Sequence, residues 1–463
     1  MLCPFFPPDA WFNLTQILRD KHGIDLKENL GRVRVELFFL DSTRLDRSTQ
    51  TAVRLKLKYT RPATRPKLSS LICIKSLYLG ASDLRHLHWS LELSKRAGYD
   101  RVSICNQSIE DGGDSAYSRL LDSFGGFASL SELQCLPNFL PYVPGRRKYL
   151  SSFREFARNG KYDALMSDTF NILSLAQCYL DNIDRYEFVG VFDPDEVVLA
   201  PRSNHFRSIT QMRDVLSALT PEGLAAFNAS IFEDTCSRSF NSGSPSNHYG
   251  LMGSYLKDLY RDGTRNSDSS LYFKQGYYLR SRFVDKIFKS LEDFLATTNG
   301  QTRLDSSKMV LVPNEDKFDL DSDFHIQIGS DDLVYVRNLL LIHKNIVRPY
   351  LDANAGLIRD YGDRYGRPYV LVGNDRSLGK TVHNTNSTLA FTLHLPFAYQ
   401  DDKDMPRENL AVMYHEGYLS HFRNSYQFGF RILNVTRIRL DLNYFSCYFR
   451  PIINIMKLAK TLQ

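Results

Sequence analysis

Three carboxylates, Asp193, Asp195 and Glu196, fall within four residues of the stretch FVGVFDPDEVV (188–198). In extended backbone, side chains at i and i+2 point the same way, so Asp193 and Asp195 are expected to converge on one face. Pro194 stiffens the chain between them. Two hard oxygen ligands placed together suit Mg²⁺ or Mn²⁺. An ion held by only one or two protein carboxylates keeps positions open for diphosphate oxygens, and there it offsets the charge on a departing nucleoside diphosphate. Asp-x-Asp triplets also occur as solvated turns and helix caps, so the flanking elements must decide between the two uses.

Those elements point to a sheet. The run EFVGVF (187–192) is apolar after its first residue, as in a strand buried on both faces of a parallel sheet. In open α/β sheets, ligands gather beyond the carboxyl ends of such strands. Upstream, LSSLICIKSLYL reads as a strand. In SDLRHLHWSLELSKRAG, Ser82 or Asp83 serves as a helix cap, Leu84, Leu87 and Leu91 recur at helical spacing, and Gly98 is a stop. DRVSICNQS supplies the next strand, completing a βαβ unit and hence a parallel sheet covered by helices. A further helix is expected within 162–184, feeding into the run before Asp193.

Residues 1–66 form a β-rich lead-in, with period-2 patterning in RVRVELFFLD (32–41) and AVRLKLKYT (52–60); RPATRPK (61–67) is a linker. Residues 237–275 read mostly as loop, with a helix near GLMGSYLKDLYRDG. The C-terminal third is expected to mix polar turns with short strands in KMVLVPN, DDLVYVRNLLLIH, TLAFTLHLPF and FGFRILNVTRIRLDL.

Composition narrows the class. The 463 residues are 43% hydrophobic and 13% aromatic, enough for a sizeable core. Against 52 acidic residues stand 58 basic ones, and the resulting +6 is too dilute to mark a nucleic-acid partner. No Lys/Arg block tracks a phosphate backbone either. The seven cysteines contain no C-x-x-C pair, which argues against a zinc ribbon or thioredoxin-like motif. Their pairing is not readable from spacing. Asn-x-Ser/Thr sequons at Asn13, Asn106, Asn228, Asn386 and Asn434 tilt the reading towards a secretory lumen. No run of about 18 apolar residues encodes a membrane helix. The opening MLCPFFPPDAWFNLTQILRD lacks a basic n-region and is broken by prolines, so it does not read as a signal peptide.

The stretch DNIDRYEFVGVFDPDEVVLAPR (181–202) resembles the signature of glycosyltransferase family 92, in which an apolar strand leads into an Asp-x-Asp-Glu cluster followed shortly by proline. DTFNILSLAQCYLDN is similar to the helix preceding it, with a cysteine at the place of Cys178. HKNIVRPYL (343–351) resembles the family's basic element, placing Lys344, Arg348 and Pro349. LAFTLHLPF is similar to a downstream segment carrying a histidine, here His394. GYLSHFRNS resembles a closing His-Tyr-Arg motif, with His421, Arg423 and Phe422 in the tyrosine position. The resemblance spans roughly 33–425. It implies an α/β domain of GT-A-like, Rossmann-type architecture, with a mostly parallel sheet flanked by helices, over residues 67–440. Residues 441–463 are left as a C-terminal tail. It further implies Mn²⁺ or Mg²⁺, a UDP-sugar donor with galactose foremost, a glycan or glycoprotein acceptor, and transfer with inversion. Members are typically Golgi type II membrane proteins, so the resemblance implies the Golgi lumen, with no anchor segment expected within these residues.

Asp193 and Asp195 are thus expected to hold metal and donor, with Glu196 supporting from the side and His421 completing the metal set. Arg423, Lys344 and Arg348 are expected to face donor phosphate, for which guanidinium is geometrically suited. A surface location would serve any of these cations equally well. Glu233 and Asp234, in FNASIFEDTC, are the acids offered as the base that takes the acceptor proton. Three lookalikes fail, two on spacing and one on residue type. GNDRSLGKT (373–381) has five residues between its glycines where a P-loop has four; HEGYLSH separates its histidines by six; and the acidic run from Asp319 has Phe324 where a calcium loop needs glycine. Two alternatives remain open: another nucleotide-dependent transferase such as a nucleotidyltransferase, and a catalytically silent glycan-binding relative.

Overall fold

A computed structural model describes residues 33–39, 53–59, 68–77, 81–106, 113–131, 175–201 except 177, 219–220, 223, 236, 251–261, 265, 270–313, 323–360, 365, 367–372, 379–386, 388–391, 396–399, 411–414, 416–422 and 432–461. The alternating lead-in forms an antiparallel hairpin, β1 (Val33–Phe39) and β2 (Val53–Tyr59), in register from Val33↔Tyr59 to Phe39↔Val53.

The βαβ rhythm follows as β3 (Leu68–Leu77), α1 (Ala81–Ala97), β4 (Arg101–Asn106), α2 (Gly113–Ser123) and β5 (Ala128–Ser131). Helix α1 stops where Gly98 takes φ +85°, a left-handed conformation that glycine adopts without a Cβ penalty. A Cβ there would also lie 2.3 Å from that of Leu251. Helical residues 178–182 lead to β6 (Tyr186–Phe192) and β7 (Glu196–Val198). Next come α3 (Leu251–Asp258), β8 (Leu271–Phe273), β9 (Gln275–Tyr278), α4 (Ser281–Ala296), β10 (Lys308–Val312), β11 (Phe324–Ile328) and α5 (Leu333–Ile342). A π-helical turn, His343–Val347, joins α5 to α6 (Arg348–Ala353), followed by α7 (Ala355–Asp360). The remaining strands are β12 (Tyr369–Val372), β13 (Lys380–Asn384), β14 (Thr388–Phe391), β15 (Pro396–Tyr399), β16 (Ala411–Val412), β17 (Leu419–His421), β18 (Ile432–Asn434) and β19 (Ile438–Leu440); α8 (Arg450–Thr461) follows.

The largest sheet has the order β16-β8-β13-β6-β3-β4-β5. Its strands β6, β3, β4 and β5 are mutually parallel, whereas β13 runs antiparallel to both β6 and β8. Counted along the chain within this sheet, the strands stand in the order 3-2-1-4-6-5-7. The direction of winding reverses between β3 and β6, which makes their carboxyl ends a switch-point crevice. A second sheet, β19-β12-β9-β17-β7, shares the chain with the first. Residues 193–195 cross from β6 to β7, and Lys274 alone separates β8 from β9. The acid turn is therefore a seam between two sheets.

The protein is mixed α/β, but its sheets are mixed rather than mostly parallel: in the largest one, β5-β4-β3-β6 and β8-β16 pair in parallel, with β13 antiparallel between them. Every residue of β13 is buried, and a strand buried on both faces carries no pattern that reveals its direction. A second correction concerns DDLVYVRNLLLIH, expected as a strand and found as helix α5. Its Leu333, Val336 and Leu340, like Tyr335, Leu339 and Ile342, are buried at helical spacing. Residues 444–449 of the presumed tail form a second π-helical turn whose Tyr444, Phe445, Cys447, Tyr448 and Phe449 are buried in the main core. Disulfides Cys73–Cys178 and Cys236–Cys447 tie β3 to the helix before β6 and that turn to residue 236.

Candidate functional site

Asp193 leaves β6 in a tight turn. The Glu196 N–H donates to the Asp193 carbonyl at 3.0 Å, and the Asp193 N–H donates to Glu196 Oε2 at 3.1 Å. Because this backbone turns rather than extends, the premise that aimed both aspartates at one point fails. Asp193 Oδ1 faces Lys380 Nζ at 3.1 Å, while Asp195 Oδ2 faces His421 Nε2 at 3.7 Å. Asp193 and Asp195 stay partly open, with side chains 23% and 19% exposed.

Glu196 is the buried hub of the cluster, 3% exposed. Its Oε2 accepts from Lys380 Nζ at 2.7 Å and its Oε1 from Gln275 Nε2 at 3.2 Å; His421 Nδ1 lies 3.6 Å from Oε1. The Tyr277 hydroxyl donates to Gln275 Oε1, so the amide is oriented with its N–H towards the carboxylate. With both oxygens turned inward, Glu196 braces the turn and presents little to a ligand.

Lys380 opens β13 and is 2% exposed. Burial works against its charge, but Glu196 first and then Asp193 outweigh that cost and hold its pKa above the usual lysine value. Gly379 lets the strand enter here: a Cβ at that position would lie 2.1 Å from the Phe273 carbonyl oxygen. On the other side, β17 places His421 opposite Glu196 on β7 and Tyr277 on β9, with the imidazole tilted over the Tyr277 ring at 5.2 Å. Burial alone would lower the His421 pKa; a hydrogen bond to Asp195 and the charges of Glu196, Asp195 and Asp193 raise it instead. The next residue fixes the frame. The Phe422 N–H donates to the Asp195 carbonyl at 2.8 Å, and its ring stacks on Tyr278 at 4.2 Å and leans on Tyr365 at 4.8 Å.

Of the residues read from sequence, Asp193, Asp195, Glu196 and His421 come together. Lys344 and Arg348 sit exposed on the π-helical turn and the start of α6, where Arg348 Nε pairs with Asp352 Oδ2 at 3.6 Å. Neither takes part in the contacts described for the acid turn. Arg423, Glu233, Asp234 and His394 lie outside the described residues. Lys380, Gln275 and Tyr277 also belong to the cluster, with no local sequence signal that points to them. Lysines are mostly exposed, so nothing in LGKTVHN marks one as buried.

A divalent ion finds a partial fit. Among the described residues, no three His, Cys, Asp or Glu side chains close on one point. Asp195 Oδ2 and His421 Nε2 do face each other at a separation slightly wider than the ~3 Å between adjacent ligands of an ion bound at about 2.1 Å. His421 Nδ1 is buried without a hydrogen bond, 3.6 Å from Glu196 Oε1; a small rotation would give the carboxylate–imidazole pairing that directs Nε2 at a metal. No helix among the described residues is long and apolar enough to cross a membrane. Compared with known proteins, the chain matches no protein-family model and no curated protein sequence.

Proposed function

We propose that this chain is a metal-dependent glycosyltransferase of GT-A-like architecture that moves a hexose, galactose foremost, from a UDP-sugar to a glycan acceptor with inversion. One observation carries the reading: a half-open pair of aspartates at the carboxyl end of a buried parallel strand, beside the switch point, with a histidine directed at one of them. The order of the parallel strands supports a nucleotide-binding crevice there, and the motif resemblance supplies the substrate class.

In this reading Asp195 and His421 hold the ion, and Glu196 steadies the imidazole from behind. The bound ion would polarise the diphosphate and offset its charge as it leaves. Lys380 keeps the three-carboxylate turn from repelling itself apart. Glu233 or Asp234 takes the proton from the acceptor hydroxyl. The two disulfides support assembly in an oxidising lumen, in keeping with a Golgi enzyme.

A silent glycan-binding relative is the second reading, and the Lys380–Asp193 contact favours it, because an ammonium beside Asp193 competes with an ion for the same oxygen. Calorimetric titration of UDP-galactose with and without Mn²⁺, on the native chain and on Asp195→Asn, separates them. Mn²⁺-dependent binding lost in the variant, together with release of UDP in the presence of an oligosaccharide acceptor, supports the transferase. Glycan retention with no donor binding in either protein gives the second reading.

A further inference from the structure

We propose that Asn386 carries an N-linked oligosaccharide, attached before β13 and β14 close onto the sheet. This rests on the lumenal placement in the reading above and not on the transferase activity. Of the five Asn-x-Ser/Thr sequons, those at Asn386 and Asn434 have their asparagine side chains among the described residues. The two are placed differently. Asn434 is half-buried at the end of β18, and its Oδ1 accepts from the Thr436 N–H at 3.0 Å and the Thr436 hydroxyl at 2.8 Å. That side chain caps the 3₁₀ turn Val435–Arg437. Asn386 is exposed, on the turn between β13 and β14.

This turn is held firmly from beneath. Asn384 and Thr385 are buried, and the Asn386 N–H donates to Asn384 Oδ1 at 2.9 Å. The Thr385 N–H donates to the Glu187 carbonyl at 2.9 Å, and the Thr385 hydroxyl to the Tyr186 carbonyl at 2.7 Å. Tyr186 and Glu187 open β6, so Asn386 sits at the amino end of the parallel strands. The acid turn lies at their other end, with about 13 Å of β13 between Lys380 and Asn384. A glycan on Asn386 therefore stands clear of the acid turn.

The third sequon residue fixes the order of events. Thr388 is 1% exposed; its Oγ1 shares a hydrogen bond of 2.6 Å with Ser270 Oγ, and its carbonyl accepts from the Tyr179 hydroxyl at 2.8 Å. An enzyme that reads the hydroxyl two residues beyond the asparagine finds it engaged in the folded chain. Attachment thus belongs to the stage when this segment is still extended. In that step Asn386 Nδ2 bonds to the anomeric carbon of an oligosaccharide, and the bond from that carbon to a lipid diphosphate carrier breaks. The diphosphate leaves with the electron pair, and the amide nitrogen gives up one proton. The disulfides Cys73–Cys178 and Cys236–Cys447 favour the oxidising compartment in which such carriers occur.

The test is enzymatic deglycosylation in heavy-oxygen water of the full-length protein from a eukaryotic secretory host. Peptide mass spectrometry should find heavy oxygen incorporated at position 386. Asn386→Gln should lose one glycan-sized step in electrophoretic mobility and keep the native urea midpoint. Chain made without glycans in a bacterial periplasm should accept a lipid-linked oligosaccharide at Asn386 only after reduction and unfolding. An unmodified Asn386 in protein whose Cys73–Cys178 and Cys236–Cys447 pairs are oxidised overturns the inference and leaves the lumenal reading standing. An unmodified Asn386 with those cysteines reduced overturns both. Equal transfer to folded and unfolded chains overturns the order of events. None of these outcomes depends on UDP-sugar binding, which tests the transferase reading separately.

Discussion

The second sheet contains two buried carboxylates that are satisfied in opposite ways. Glu196, on the edge strand β7, is met by an ammonium and an amide, with an imidazole close by, and its neighbours Asp193 and Asp195 are partly exposed. Asp441, just past β19 on the far edge, is met by neutral donors: the hydroxyls of Tyr278 and Tyr418 on Oδ2 and the Tyr444 N–H on Oδ1 at 2.9 Å. Burial raises the Asp441 pKa, and the tyrosine and backbone hydrogen bonds only partly pull it back. Tyr278 also stacks on Phe422, the residue whose N–H holds Asp195. One cluster is charged and open, the other hydrogen-bonded and closed. The difference teaches that burying a carboxylate does not by itself mark a site. What distinguishes the acid turn is that charged groups with partial access to solvent gather round its buried carboxylate.

The largest effect should come from breaking the charged cluster. Lys380→Met leaves Glu196 buried without its cation and should cost about 3–5 kcal/mol, seen as a large drop in the urea midpoint. Adding Glu196→Gln should recover much of that loss, and a strictly additive double variant would show that the pair is not coupled. Asp441→Asn keeps one acceptor oxygen but turns an amide N–H towards hydroxyl or backbone donors, so about 2 kcal/mol is expected. That variant should leave Mn²⁺ affinity near native, which separates the closed cluster from the open one.

Acid should act chiefly through neutral, closed groups. Burial, with Arg367 and Arg348 adding to it, pulls the His343 pKa down to about 3; burial does the same to His383, also to about 3. His343 Nδ1 shares a hydrogen bond of 2.7 Å with the Tyr369 hydroxyl, much as Asp441 depends on its tyrosines. Between about pH 6.5 and 3 the unfolded chain binds protons at these histidines that the folded one refuses, so stability rises with pH across that window. The full contribution is present above about pH 6.5 and is lost as pH falls towards 3, at up to about 1.4 kcal/mol per pH unit for each histidine. His421 has the opposite sign, since its raised pKa favours the folded state at low pH. Denaturant midpoints at pH 7, 5.5 and 4 should fall in that order. A flat series would mean that these two rings are protonated in the folded protein. The smallest effect on stability, within about 0.5 kcal/mol, is expected for the partly exposed Asp195→Asn, which should nonetheless abolish metal-dependent UDP binding.

Much of this architecture was legible in the chain. The βαβ unit, the stop at Gly98, the buried run ending at Asp193 and the lead-in hairpin all follow from local pattern, because periodicity and glycine conformation act over a few residues. The stretch that became α5 was misread because a continuous apolar run has the same appearance in a buried strand and a buried helix. The polarity of β13 was invisible for the related reason that full burial erases alternation. At the site, Asp193, Asp195, Glu196 and His421 could be nominated from type and spacing. Their division could not. Lys380 lies 184 positions beyond Glu196 in a segment resembling a failed P-loop, and only sheet pairing through β6 and β13 brings its ammonium under the acid turn. Local sequence determined that a strand would end in acids. Which acid faces a fixed cation and which faces an imidazole was decided by strands from distant parts of the chain, since charge acts through space and not along sequence.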